Sequence, residues 1–441
     1  MKAIIMAGGK GTRLMPISAR SPKPMTKLMG LPLLEHIVEL LRANGFTELC
    51  MTLGHMPEQI KDYFGNGEKF GVSIEYRIEK RPLGTAGGVR SCADFYGNED
   101  FLVISGDAAC DFNLKYLAER HSESGADVTM ALYRHPEPLR YGTVLVSKDS
   151  EVRQFIEKPS WERVVTDLVN TGVYIISSHV MELIPAGAVA DFAKDLFPML
   201  MKRKFRMLGA QIDGYWCDIG DAKSYLQCCM DALDGKLKLK KTAPGEYLED
   251  SLSFVCNGAK VDKSASIRHS VIHPGGKVAA NSRIVESLIE GGEVGEGCLI
   301  NGTVVCSGAV TGDYRRTDKG DVISNSGAQS PRPVKEGRTN TRQRKRGLCR
   351  ELACSGRAAL MRELSGVLWE AGADFSDGIT LQDGGCRVHI SPLEDESALS
   401  VEAIGGRGKD RVSALEKYYT MARELDLAID SAAEYEYLMQ E

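Results

Sequence analysis

A chain of 441 residues is longer than one hydrophobic core usually serves, so two or three domains are expected. With 43% apolar and 26% charged residues it has the composition of an ordinary soluble globular protein, and a net charge of −5 gives no global pull toward nucleic acid or a membrane surface. The twelve cysteines include no C-x-x-C pair and no Cys/His cluster at zinc spacing, which argues against a thiolate metal site or a disulfide framework. Reduced thiols and a cytoplasmic location are expected, with no membrane association, since no apolar run approaches spanning length and no signal segment is apparent.

In chain order, the apolar run Ala3 to Ala7 reads as a buried strand that ends on glycines. Gly8, Gly9 and Gly11 allow a tight turn whose N–H groups can face an anion, and Lys10, Arg13 and Lys23 bring positive charge nearby, so the loop reads as a phosphate cradle. It is not a Walker loop, because no Gly-Lys-Ser/Thr follows at the required spacing, and Leu14 stands where a dinucleotide fingerprint needs its third glycine. Leu34, Ile37, Val38 and Leu41 recur at helical spacing before Gly45. Strands are expected at 49–53, 72–76, 101–104 and 128–132, with a helix over 115–121 and another after Trp216. This alternation points to a mostly parallel α/β sheet, whose site lies beyond the carboxyl ends of the strands.

From Cys256 to Val310 aromatics thin out and an aliphatic residue recurs about every six positions, the period of a left-handed parallel β-helix. The stretch 313–350 is basic and rich in Ser, Asn, Pro and Gly, and reads as a flexible linker. A polynucleotide-binding arm is disfavoured there, because Tyr314 is its only aromatic. Beyond it, Cys349 to Leu368 reads as a helix, 377–405 as a small sheet, and 412–425 as a closing helix.

The run Gly8-Gly9-Lys10-Gly11-Thr12-Arg13-Leu14-Met15-Pro16, followed by Pro22-Lys23-Pro24-Met25, resembles the opening motif of the sugar-1-phosphate nucleotidyltransferases. Further matches to that family are Ser105-Gly106-Asp107, Trp216-Cys217-Asp218, Pro82-Leu83-Gly84-Thr85-Ala86-Gly87-Gly88, Arg140-Tyr141-Gly142, Glu157-Lys158-Pro159 and Asn170-Thr171-Gly172. The resemblance implies a Rossmann-like, mixed but mostly parallel catalytic domain over 1–240, a left-handed β-helix over 250–311, a linker over 312–346 and a small α+β domain over 347–441. It implies catalytic roles for Arg13, at the β- and γ-phosphates, and Lys23, at the α-phosphate. Nucleotide binding falls to Ala7, Gly8, Gly9, Gly11, Thr12, Gly84, Thr85 and Ala86; sugar-phosphate binding falls to Gly142, Glu157, Lys158 and Asn170. Asp107 and Asp218 are the implied Mg²⁺ ligands, whereas Asp111 is expected to cap a helix.

The stretch Pro82–Gly88 resembles the guanylyltransferase form of the family's base-recognition loop, which implies transfer from GTP to mannose 1-phosphate. Glucose 1-phosphate or another sugar phosphate with a different nucleotide, and a non-catalytic regulatory paralogue, are the alternatives. Homo-oligomerisation through the β-helix is expected on the same ground. The last hundred residues weakly resemble the C-terminal domain of phosphomannomutases, but the family's phosphate-gripping loop would fall on the acidic stretch 391–397, which lacks its arginine and glycine. Mutase activity is therefore rejected, and a structural or assembly role is expected for that domain.

Overall fold

The computed structural model describes all residues except 161–162, 326, 330–347, 355–356, 370, 376–377, 384, 393–397, 406–407 and 439–441. The greater part of the expected linker and most of the acidic stretch 391–397 thus lie outside the described residues. The chain forms two compact units: Met1–Glu119, Gly172–Ala190 and Ile212–Glu336 make the first, and Arg120–Thr171, Asp191–Gln211 and Gly337–Glu441 the second.

The α/β elements used below are, in chain order, β1 (Lys2–Ala7), α1 (Leu33–Ala43), β2 (Glu48–Leu53), β3 (Ser73–Ile78), α2 (Gly84–Arg90), β4 (Phe101–Ser105), β5 (Ala108–Cys110), α3 (Leu114–Ser124), β6 (Val128–Arg134), β7 (Gly142–Val146), β8 (Val152–Glu157), β9 (Leu168–Ile176), β10 (Met207–Gln211), β11 (Trp216–Asp218) and α4 (Ala222–Leu233). In the first unit β4, β1, β2 and β3 lie side by side in parallel. Ala3, Ile4 and Ile5 are fully buried, as a central strand covered on both faces requires. Residues 173–176 of β9 run antiparallel to β4, so the sheet is mixed but parallel at its centre. In the second unit β8 pairs antiparallel with β7, β7 meets β9 at Thr143 and Val169, and β10 runs parallel to β6.

Three parallel ladders follow, built from short strands that return after nearly constant lengths of chain. They fit a left-handed β-helix. Its interior is made of stacked aliphatics, with Ile272 beside Ile289 and Ile289 beside Val305, and Ile267 beside Ile284 and Ile284 beside Ile300. A second column consists of hydroxyls: Ser253, Ser270 and Ser287 are fully buried and accept the backbone N–H groups of Ser270, Ser287 and Thr303 at 3.2, 3.0 and 3.1 Å. Each hydroxyl satisfies the coil above it, so polar backbone can turn inside the stack.

The repeat does not stop at 311. Val304 and Val305 pair in parallel with Val322 and Ile323, and the strand Val322–Ser324 turns back onto Gly327–Gln329. Residues 312–324, expected in the linker, therefore continue the ladder, because two β-branched residues fall in register with the preceding coil.

In the C-terminal domain four antiparallel strands, Leu348–Ala353, Ala398–Gly405, Cys386–Pro392 and Ile379–Asp383, lie in that order and pack with the helices Arg357–Leu368 and Gly408–Leu438. The expected helix from Cys349 thus begins only at Arg357. Residues 348–353 carry helix-forming Leu, Glu and Ala but pair fully with 398–403, so tertiary pairing overrides local propensity. The closing helix is longer than the expected 412–425 at both ends. Among the described residues no helix is long and apolar enough to cross a membrane.

Candidate active site

The phosphate loop begins where β1 ends. Gly11 has φ of +61° and its missing Cβ would stand 2.8 Å from the Lys23 Cβ, so only glycine lets the loop lie against that lysine. The Ser18 hydroxyl fixes the turn by donating to the Gly11 carbonyl at 2.9 Å. Gly9 has nothing within 4 Å of its Cβ position and leaves the loop open on that side. Ala7, Gly9, Gly11, Thr12, Arg13 and Lys23 all line one pocket, together with Asp107.

Asp107 and Asp218 are 111 positions apart in sequence and meet through a strand pair. Asp107 follows β4, where the Gly106 N–H donates to the Met6 carbonyl at 2.8 Å. Strand β11 then runs antiparallel to β5 with Asp218 directly opposite Ala108, which sets the second carboxylate beside the first. Lys23 Nζ donates to Asp107 Oδ2 at 2.6 Å and to Asp218 Oδ1 at 3.1 Å, and its side chain is 7% exposed. A Cβ on Gly220 would meet Asp218 Oδ2 at 3.2 Å and the Arg13 guanidinium at 3.5 Å, so Arg13 borders the same cluster.

The charges tune one another. Burial alone would raise the Asp107 carboxyl, but Lys23, the Ser105 hydroxyl at 2.7 Å and Arg13 hold it below the usual carboxylate range. Burial alone would lower the Lys23 ammonium, and the two aspartates instead hold it above the ordinary lysine value. Asp107 and Lys23 therefore hold each other in their charged forms at neutral pH.

Two carboxylate oxygens that both reach one cationic centre form the hard-oxygen donor set a divalent ion takes when substrate phosphates complete its shell. No group of three or more His, Cys, Asp or Glu side chains that could cage a metal exists among the described residues. The set thus fits an ion shared with substrate better than one held by protein alone. Asp111 stands apart: its oxygens accept the backbone N–H groups of Tyr215 and Lys238 at 2.7 and 2.9 Å. It does not cap α3; Asn113 accepts the Tyr116 N–H there, at 3.0 Å.

The first turn of α2 is held close to residues 188–190. A Cβ on Gly84 would strike the Ala190 carbonyl, one on Gly87 would meet the Ala188 carbonyl at 2.5 Å, and the Gly87 N–H donates to Ala190 at 3.0 Å. Thr85 and Ala86 stand in the first turn of that helix. Glu79, just past β3, escaped the sequence reading. Its Oε2 accepts the Leu83 N–H at 3.1 Å, while Oε1 would lie 3.8 Å from a Cβ on Gly8 and 2.5 Å from one on Gly88. It therefore stands between the glycine loop after β1 and α2, and burial pushes its carboxyl up against the opposing Leu83 N–H bond. The available signal was an acidic residue five positions before Gly84.

In the second unit Glu157 pairs with Gly142 across β8 and β7, and a Cβ on Gly142 would come within 2.8 Å of Glu157 Oε2. Lys158 follows in a left-handed conformation, φ +46°, with its N–H donated to the Tyr141 carbonyl at 3.0 Å. Asn170 sits on β9 next to Val169, which pairs with Thr143. Three of the four expected sugar-phosphate residues thus lie on adjoining strands, and Lys158 directly follows one of them. Burial raises the Glu157 carboxyl, with Asp191 adding to the shift and Lys158 and Lys194 opposing it.

A family model described as Nucleotidyl transferase matches residues 2–235. A UTP–glucose-1-phosphate uridylyltransferase of Synechocystis sp. is 32% identical over 345 residues, covering 66% of this chain and 87% of the relative. A mannose-1-phosphate guanylyltransferase of Mycobacterium tuberculosis is 31% identical over 303 residues, covering 68% and 82%. A mannose-1-phosphate guanyltransferase of Yarrowia lipolytica is 32% identical over 272 residues, covering 60% and 73%. With its glycine loop, Asp107 and Lys23 lining one pocket, Asp218 bonded to the same lysine, and these relatives, the chain belongs to the sugar-1-phosphate nucleotidyltransferases.

Proposed function

We propose that the chain transfers a guanylyl group from GTP to mannose 1-phosphate, giving GDP-mannose and pyrophosphate. The observation that carries the reading is Lys23 held between Asp107 and Asp218 beside the glycine loop. A phosphate oxygen of the sugar 1-phosphate attacks the α-phosphorus of GTP, and the bond from that phosphorus to the bridging α,β oxygen breaks. Pyrophosphate leaves with the electron pair. The step concentrates negative charge between two anions, so positioning and charge neutralisation carry the catalysis. Arg13 holds the β- and γ-phosphates with its planar fork, Lys23 meets the charge that grows on the α-phosphate, and the loop N–H groups cradle the chain between them. A Mg²⁺ ion bound by Asp107 and Asp218 would neutralise the triphosphate when present. Lys158, Glu157, Asn170 and the Gly142 backbone hold the sugar 1-phosphate.

Two considerations support guanine. Of eight similar relatives, seven are named for guanylyl transfer and one for uridylyl transfer. Guanine also offers two adjacent donors, N1–H and N2–H₂, whose complement is an acceptor-only carboxylate such as Glu79. The Synechocystis relative keeps UTP with glucose 1-phosphate as the second reading. A non-catalytic paralogue has no need to retain Arg13, Lys23, Asp107, Lys158 and Asp218 together. Pyrophosphate release from four nucleoside triphosphates, each with mannose or glucose 1-phosphate, tests this. The fastest turnover is expected with GTP and mannose 1-phosphate; preference for UTP would overturn the base assignment, and no release with any pair would overturn the enzyme.

A further inference from the structure

The C-terminal domain is fastened to the strands that carry the sugar-phosphate residues. Arg362, on the helix Arg357–Leu368, places NH1 2.6 and 2.7 Å from the two carboxylate oxygens of Asp167. Its Nε and NH2 donate to Glu363 Oε1 at 3.1 and 2.7 Å, so the guanidinium is fixed from both sides. Three residues on, the Ser365 hydroxyl donates to the Val165 carbonyl at 2.8 Å. Val165 and Leu145 lie in the same buried apolar cluster as Leu352, Leu360, Met361 and Leu364. Gln154 adds a bond from its amide to the Phe375 carbonyl at 2.9 Å.

These fastening points are not scattered. Leu145 is on β7, three residues after Gly142; Gln154 is on β8, three before Glu157; Asp167 immediately precedes β9, three before Asn170. Each strand that presents a sugar-phosphate residue is thus tied to the C-terminal domain within one short step. The Asp167 carboxylate is 9% exposed. Burial pushes it up, and Arg362 first, then Arg134, oppose that shift. Without Arg362 it would lose its direct partner, and the entry to β9 would have to move toward water or neutralise.

We propose that Arg362 is a positioning residue for the sugar 1-phosphate, acting through Asp167 to hold β7, β8 and β9 in register. This rests on the sugar-phosphate assignment made above. It gives the C-terminal domain a task in substrate binding that needs none of the mutase chemistry it lacks.

Arg362→Ala is expected to raise KM for the sugar 1-phosphate roughly tenfold while KM for the triphosphate changes less than twofold, since small displacements of a positioned group cost rate or affinity steeply. Arg362→Lys, which keeps the charge, should recover most of the affinity, and Asp167→Asn combined with Arg362→Ala should cost less than the sum of the two single changes. Equal rises in both KM values, or no change in either, would overturn the proposal. Backbone hydrogen exchange gives a readout independent of turnover. Faster exchange in 142–157 and 168–171 of Arg362→Ala, with 2–7 and 101–105 unchanged, supports the brace even if no substrate pair turns over; unchanged exchange in 142–157 and 168–171 refutes it whatever the substrates prove to be. Should the alanine variant fail to fold, Arg362→Lys and Arg362→Gln carry the same comparison.

Discussion

The Lys23 cluster and the β-helix both bury polar groups, but they do so in opposite ways. In the β-helix each buried hydroxyl is satisfied by the next coil and each aliphatic by its neighbours in a column. Those hydroxyl and aliphatic columns call for no ligand. Around Lys23 the charges, from positions 13, 23, 107 and 218, are satisfied by one another with the Ser105 hydroxyl added at Asp107, and the glycines keep the pocket beside them open. A closed set of partners indicates a scaffold; charges compensated across an open pocket are poised to exchange partners when phosphates arrive. Substitutions in the two places should therefore separate stability from chemistry.

The largest expected effect is on chemistry alone. Asp107→Asn removes one carboxylate charge without changing shape and should lower kcat by about 100- to 1,000-fold, with thermal unfolding little altered. Unchanged turnover would place the reaction elsewhere. Ile289→Ala tests the other side: Ile289 is fully buried between Ile272 and Val305, and its truncation should cost about 2–5 kcal/mol in denaturant unfolding. The folded fraction should turn over at the wild-type rate, and a specific loss of kcat would show that the two regions are not separable. The smallest effect sharpens the base assignment. Glu79→Gln should reduce the kcat/KM preference for GTP over UTP by about 10- to 100-fold, because an amide cannot accept from both guanine donors. An unaltered preference would remove Glu79 from base recognition.

The same contrast decides what was legible in the sequence. The β-helix was readable because its rule is local: an aliphatic at each inward corner, repeated. Its extent was misjudged only where the basic run around Arg315 and Arg316 obscured Val322 and Ile323, which continue the ladder. The parallel centre of the α/β sheet was readable from short apolar runs ending in glycine or aspartate. The neighbourhood of Lys23, Asp107 and Asp218 was readable only through motifs, since the β5–β11 pairing that joins the aspartates leaves no periodic trace in three-residue strands. Glu79 was missed because an acidic residue after an edge strand looks like a solvated turn until Gly8 and Gly88 close around it. The strand Leu348–Ala353 and the Asp167–Arg362 pair were beyond local reading, because both depend on partners 45 to 195 positions away.

The most direct test of the central claim compares wild type with Lys23→Gln, which keeps a hydrogen-bond donor on a side chain one atom shorter but removes the charge. Pyrophosphate release is measured with GTP, mannose 1-phosphate and Mg²⁺, alongside circular dichroism. The wild type should turn over, and the variant should be slower by about 100-fold or more with the same spectrum. A variant with the native spectrum and the wild-type rate would contradict the assignment of the chemistry to Lys23 and its two aspartates.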